Sequence, residues 1–220
     1  MIVYVPIKEL SQRVPNKNFR KLGKESLYIR CLKKLKKYKV YVDTDSEKII
    51  KEIGSNEELS HVTPFRRKKE LEGHNTSVCD LIDNFIHEFN IDNETICQIH
   101  VTSPFIREET IREASLKLNS KNSSVVSCNI YQNRLWRREK YGYCPVNHNP
   151  CRLEQTQDLP EFYEENSLFY IFNSDNFKKT KLRISNEPYF YPCNFPENLD
   201  IDTEDDWKLC EALVNSGVVK

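Results

Sequence analysis

The chain has 220 residues, and its 33 Lys+Arg balance its 33 Asp+Glu, which excludes a protein built mainly to grip nucleic acid, since that would be basic. Its 38% hydrophobic and 11% aromatic content excludes disorder and collagen, and the length can bury the core of one or two domains. Only five glycines occur, against a usual share of about 7%; neither G-x-G-x-x-G nor G-x-x-x-x-G-K-[ST] can be assembled from them, so any phosphate-handling loop must use other residues.

The N-terminus, Met1-Ile2-Val3-Tyr4-Val5-Pro6, reads as an immediate strand, without the basic and long apolar regions of a signal peptide. A polar loop follows to residue 25. Ser26–Lys36 is predicted helical, with Tyr28, Leu32 and Leu35 on one face. Lys39–Asp43 alternates as a second strand, and Asp43-Thr44-Asp45-Ser46 caps a short helix ending near Gly54. Ser77–Asn90 is the clearest helix: Val78, Leu81, Ile82, Phe85, Ile86 and Phe89 keep its apolar spacing. Ile96–Val101 is a strand, Glu108–Leu118 a helix and Ser124–Ile130 a strand. Residues 131–160, rich in Asn, Arg, Pro and Tyr, have no period. Leu168–Phe172 restores a strand, and Asp202–Val214 closes the chain as a helix.

This alternation predicts an α/β fold: a Rossmann-like, mostly parallel sheet with helices on both faces. One domain over 1–220 is expected, with an irregular insertion at about 131–165. No stretch approaches the ~20 apolar residues that span a bilayer, so a cytoplasmic protein without membrane contact is expected. Its eight cysteines form no C-x-x-C pair and read as reduced.

In such a sheet, ligands bind beyond the carboxyl ends of the strands. After the first strand come Lys8, Ser11, Arg13, Asn16, Lys17 and Asn18. These are donors able to wrap a polyphosphate, or simply a solvated basic loop. Asp43/Asp45 and Asp200/Asp202 are carboxylates at i, i+2, which on extended backbone point to one side and can share a hard cation; capping of the following helix explains one of each pair. Cys144, His148 and Cys151 offer three ligands of a zinc site that wants four. His100 ends an apolar strand, as a substrate contact or a core histidine. Phe65-Arg66-Arg67-Lys68-Lys69 reads as surface unless one arginine turns inward. Trp136, amid Arg134, Arg137 and Arg138, suits a subunit interface.

Six blocks in order resemble the acylneuraminate cytidylyltransferase family, which activates acidic keto-sugars such as sialic acids and 3-deoxy-octulosonate with CTP. They are Pro6–Asn18, Thr44-Asp45-Ser46-Glu47-Lys48-Ile49, His100-Val101-Thr102-Ser103-Pro104, Thr156-Gln157-Asp158-Leu159-Pro160, Glu165-Asn166-Ser167-Leu168-Phe169-Tyr170-Ile171 and Asp200-Ile201-Asp202-Thr203. The resemblance implies a nucleotide-diphospho-sugar transferase-like fold, with attack of an anomeric hydroxyl on the α-phosphate of CTP and loss of pyrophosphate. It puts Lys8, Ser11, Arg13, Asn16, Lys17, Arg67, Thr102 and Ser103 on the nucleotide, and His100 and Gln157 on the sugar. Asp200 and Asp202 fall on Mg²⁺, and Asp202, Arg13 and Lys17 on catalysis. It also implies a homodimer through the irregular segment. Departures are Glu9-Leu10 for a glycine pair, Gln12 for lysine, His100 for glutamine and His74 for aspartate. They leave open a member with another nucleotide or sugar, or a catalytically silent binding subunit.

Overall fold

The computed structural model describes residues 1–73 and 75–219. In chain order its strands are β1 Ile2–Ile7, β2 Lys21–Leu22, β3 Glu25–Ser26, β4 Lys39–Thr44, β5 Val62–Arg66, β6 Thr95–Ile99, β7 Ser124–Tyr131, β8 Trp136–Glu139, β9 Gly142–Pro145, β10 Phe162–Asn173 and β11 Pro188–Pro192. The helices are α1 Leu27–Lys33, α2 Glu47–Gly54, α3 Val78–Glu88, α4 Glu108–Ser115, α5 Ser174–Thr180 and α6 Glu204–Asn215.

Seven strands make the main sheet in the order β11-β7-β10-β6-β1-β4-β5, while β2–β3 and β8–β9 form separate two-stranded ribbons. Within the main sheet β10 alone runs antiparallel to its neighbours. The mostly parallel sheet and helices α1–α4 and α6 are therefore as the alternation predicted, whereas α5 had no counterpart in it. Two strands of the main sheet escaped it as well. Both β5, with Pro64 inside, and β11, with Pro188 and Pro192 at its ends, lie on the sheet's edges. Proline lacks the N–H that a central strand needs, so it is tolerated there and reads as loop in the sequence.

The period-2 alternation of β1 divides the core. Val3, Val5 and Ile7 face a cluster with Tyr28, Cys31 and Leu32 of α1, Ile49 and Ile53 of α2, and Ile111 of α4. Ile2 and Tyr4 face the opposite cluster, with Leu81, Ile82, Phe85 and Ile86 of α3. Helices thus cover both faces. The α3 helix starts where its sequence says: Ser77 accepts from the Asp80 N–H, and Asp80 accepts from the Ser77 N–H. A third, smaller core joins Val14 and Leu22 to Phe105, Ile201, Trp207 and Cys210.

Residues 131–160 are not wholly irregular: they hold the β8–β9 hairpin, and β10 begins at Phe162 rather than 168. The β7–β10 register breaks between Glu165 and Tyr170, where Ser167 takes a left-handed φ of 60°. Glycine adopts that backbone without strain, whereas serine holds it at a cost, so the break is a locally strained point of the sheet.

Candidate active site

A cavity of about 340 Å³ opens at the carboxyl ends of β1 and β6. The chain switches there from building the sheet on one side of β1 to the other, and such a switch point is where open α/β sheets take ligands. Its lining includes Lys8, Ser11, Gln12, Arg13, Lys17 and Asn18 of the first loop, Arg67, and His100 and Thr102 beyond β6. A larger hollow of about 690 Å³ lies against α4 and the segment after β11, and none of the residues singled out in the sequence lines it.

Two apolar anchors build the charged wall. Val14 and Ile201 are fully buried in the third core, so the charges beside them in sequence are brought face to face. Arg13 donates to Asp202 Oδ1 at 2.7 Å, and Lys17 Nζ stands 3.6 Å from the same oxygen while donating to the Ile201 carbonyl. Ile201 N–H donates to the Thr102 carbonyl at 2.9 Å, tying this acidic segment to the end of β6. Lys17 is buried, and burial pushes its pKa down against the opposing pull of Asp200 and Asp202.

Asp202 does not cap α6. Thr203 does, accepting from the Asp206 N–H, with Asp206 reciprocating. That leaves the Asp202 carboxylate to the cations. Asp200 Oδ1 is buried without a hydrogen-bond donor, and burial, reinforced by the Asp202 charge, raises its pKa. A paired carboxylate set with one orphaned buried oxygen fits a hard cation. Among the described residues no three His, Cys, Asp or Glu side chains gather.

The other acidic pair is divided between two partners. Asp43 is fully buried, accepting from Arg67 Nε at 2.8 Å and from the Tyr4 hydroxyl at 2.6 Å. Asp45 instead accepts the Glu9 N–H at 2.7 Å. Arg67 is thus the inward-turning arginine of its basic run: it is 1% exposed, also donates to the Asp43 carbonyl, and leaves Nη1 without a partner beside the cavity.

The remaining sequence candidates fall as follows. Asn16 is a left-handed turn residue (φ 53°) whose carbonyl accepts from Phe19 and Arg20, and it does not line the cavity; Asn18 does, donating to the Lys8 carbonyl at 2.7 Å. Ser103 is buried with its hydroxyl unpartnered. Gln157 sits exposed on a one-turn helix beyond the cavity lining, bonded to Gln155. Lys8 and Leu10 line the cavity, whereas the intervening Glu9 is exposed and does not. His100 is partly buried; burial, then the charges of Arg183 and Lys17, lower its pKa from 6.5 to about 4. His74 lies outside the described residues. In the hairpin region Cys144 donates to Glu139, and the His148 ring packs edge-on against Trp136 at 5.1 Å.

Asp200 and Asp202 do not line the cavity but stand behind its Arg13 and Lys17, and a crevice with loop cations at a strand-switch position suits a nucleotide. The chain matches the cytidylyltransferase family model over residues 2–216. It belongs to that family. This cytidylyltransferase is 26% identical to CMP-N,N'-diacetyllegionaminic acid synthase of Legionella pneumophila over 97% of its own length and 96% of the relative's. It is also 26% identical to N-acylneuraminate cytidylyltransferase B of Danio rerio over 80% of its length, spanning 41% of that longer protein. The structure of CMP:2-keto-3-deoxy-manno-octonic acid synthetase complexed with CTP shares the fold, with a TM-score of 0.68 at 11% identity, covering 98% of each chain.

Proposed function

We propose that the protein couples CTP to an acidic keto-sugar, releasing pyrophosphate and the CMP-sugar. The observation that carries this reading is that Arg13 and Lys17, which line the β1–β6 crevice, converge on Asp200 and Asp202 beside it. The two relatives, a CMP-N,N'-diacetyllegionaminic acid synthase and an N-acylneuraminate cytidylyltransferase, support the substrate class.

In the reaction the sugar's anomeric oxygen bonds to the α-phosphorus while the bond to the β-phosphate oxygen breaks. The pyrophosphate leaves with that electron pair. Such transfer needs positioning and charge neutralisation more than covalent help. Arg13, Lys17 and Lys8 supply cations for the triphosphate, and Ser11 and Gln12 of the same loop supply further donors. Asp200 and Asp202 would hold Mg²⁺, which supplies neutralisation of phosphate charge when bound. Asp202 is positioned to receive the hydroxyl proton. Arg67, whose buried Nη1 is unpartnered at the cavity wall, suits the base or a phosphate; Thr102 lines the same cavity, and Ser103, with its unpartnered hydroxyl, lies just outside that lining. His100, uncharged at neutral pH, suits a hydroxyl of the sugar, and Gln157 would reach it only after movement of its segment. Consumption of a nucleoside triphosphate suits a cytoplasmic setting. Among the described residues no helix is long and apolar enough to cross a membrane.

A second copy of the chain is proposed on the hairpin side. Tyr141 is 90% and Leu153 89% exposed there, with Trp136, Tyr143 and Tyr163 also open to solvent. An isolated two-stranded hairpin is marginal in water and gains from being covered.

The test is Mg²⁺-dependent pyrophosphate release over a panel of CTP, UTP, GTP and ATP against sialic, legionaminic and 3-deoxy-octulosonic acids. CTP with at least one sugar acid is expected to react. Silence of every pair, together with no thermal stabilisation by any nucleotide, overturns the reading.

A further inference from the structure

Gln98 lies mid-way along β6, between β1 and β10, and is fully buried. A buried carboxamide is expensive unless bonded, and this one is bonded on one side only. Its Oε1 accepts from Arg183 Nη1 at 2.7 Å, while its Nε2 has no partner. Arg183 comes from the segment between α5 and β11, and its guanidinium carbon lies 3.6 Å above the ring of Tyr170. Tyr170 and Gln98 are direct register partners across the antiparallel β10–β6 pair. Ring and carboxamide therefore form one bracket, which fixes the plane and one edge of the guanidinium. The Tyr170 hydroxyl is itself held, donating to Glu165 Oε2 at 3.0 Å.

Neither arm of the bracket is anionic, so the Arg183 charge is positioned but not neutralised, and most of its five donors are unspent. The bracket does not itself line the cavity but adjoins it through His100. His100, which lines it, is two residues beyond Gln98 and so on the same face of the strand path, and the Arg183 charge bears on its titration. A half-buried, pre-oriented, unpaired guanidinium beside a polar cavity is built for a planar anion.

We propose that Arg183, bracketed by Gln98 and Tyr170, binds the carboxylate of the acidic sugar and is what makes the enzyme select an acid over a neutral sugar. This rests on the activity proposed above. The topology separates the two anionic ends of the substrates. Lys8, Arg13 and Lys17 stand on the β1 loop, whereas β10 lies on the far side of β6 from β1, and Arg183 is stacked on its tyrosine. The triphosphate has its own cations on the β1 loop, and Arg183 stands across β6 from them.

The experiment compares wild type, Arg183→Gln, Arg183→Lys and Gln98→Leu in steady-state kinetics with CTP and whichever of the sialic, legionaminic and 3-deoxy-octulosonic acids wild type accepts. The C1 amide of that sugar serves as a neutral competitor substrate. Losing a charge-assisted, two-pronged contact is expected to raise the sugar KM about 10- to 100-fold in Arg183→Gln. The KM for CTP should stay within about twofold, and the acid-over-amide preference should collapse. Lysine keeps the charge without the fork and should recover part of the preference. Gln98→Leu fills the buried position and keeps the cation but removes its bracket, so a smaller rise in sugar KM is expected from a fold of undiminished stability. An unchanged sugar KM in Arg183→Gln overturns the proposal, as does an equal rise in both KM values, which would assign Arg183 to the phosphates. Should Arg183→Gln not fold, an unchanged acid-over-amide preference in Arg183→Lys and Gln98→Leu overturns it. If wild type accepts no sugar acid at all, the proposed function falls and this inference with it; if wild type turns over and only the variant result fails, the inference alone falls.

Discussion

Arg13 donates to Asp202 at 2.7 Å although 189 residues separate them. The contact exists because Val14 and Ile201, each one step away in sequence, are buried in the same small core. Replacing Asp202 by Ala therefore removes the acidic partner of two loop cations without touching the apolar anchor. Pyrophosphate release is expected to fall by about 10³-fold, the range of a lost base and metal ligand together. The melting temperature should move by no more than the few degrees that loss of a half-exposed pair explains. Turnover at the wild-type rate would remove Asp202 from its assigned role.

The two cations should behave differently from each other. The Arg13 side chain is 68% exposed and that of Lys17 only 10%. Arg13→Ala is expected to lower kcat/KM for CTP with a stability change below about 1 kcal/mol. Lys17→Ala should lower both activity and stability, because it leaves the Ile201 carbonyl without its donor, a loss of about 1–3 kcal/mol. Chemical denaturation beside kinetics separates the two; equal stability losses would mean that the loop is not anchored through Lys17.

Beneath the cavity, Tyr4, Asp43 and Arg67 form a buried triad in which each charge depends on the other. Asp43→Ala strands a buried guanidinium and should cost about 3–5 kcal/mol in urea unfolding. Tyr4→Phe removes one hydrogen bond to a carboxylate and should cost about 1.5–3 kcal/mol. An Asp43→Ala protein as stable as wild type would mean that Arg67 finds water or another acid.

The triad also marks what the sequence could and could not disclose. The periodicity of Val78 to Phe89 and the alternation of β1 and β4 name the layers, because burial on one face leaves a fixed spacing. The Asp43/Asp45 spacing looks like that of Asp200/Asp202, yet one pair is split between a core arginine and a backbone N–H while the other stays together. That difference is set by Arg67 and Tyr4, contacts across the sheet with no local signature. Asn16 and Asn18 were equivalent as letters; the left-handed turn at Asn16 sends only Asn18 to the cavity. Gln98 did carry a signal, a lone carboxamide in Ile96-Cys97-Gln98-Ile99, whereas Arg183 lies in a polar stretch and had none.

His100 gives a prediction in pH. Its folded pKa of about 4 lies below its ordinary 6.5, through burial first and then the charges of Arg183 and Lys17, partly offset by Asp202. Between those values the unfolded chain binds the extra proton, so the contribution is complete above pH 6.5 and is lost as pH falls through about 4. The interval bounds it at about 3 kcal/mol. Asp200, whose pKa is raised, works in the opposite direction, so the comparison must be made with a variant. His100→Gln is expected to lose less stability than wild type between pH 7 and 4. Parallel curves would show that His100 is not held neutral.

The hairpin supplies the last prediction. Two strands, β8 and β9, carry Trp136 and Tyr143 outward, with Tyr141 in the turn between them, and no strand of the main sheet pairs with them. Nothing within so short a ribbon can repay the ordering of its backbone, whereas aromatic side chains buried against a second copy can contribute about 1.5–3 kcal/mol each. The protein is expected to sediment at twice its chain mass at micromolar concentration. Tyr141→Ser with Tyr143→Ser should shift it towards the single chain without unfolding the α/β sheet, as read by far-UV circular dichroism. A wild-type protein that sediments as one chain throughout that range refutes the pairing.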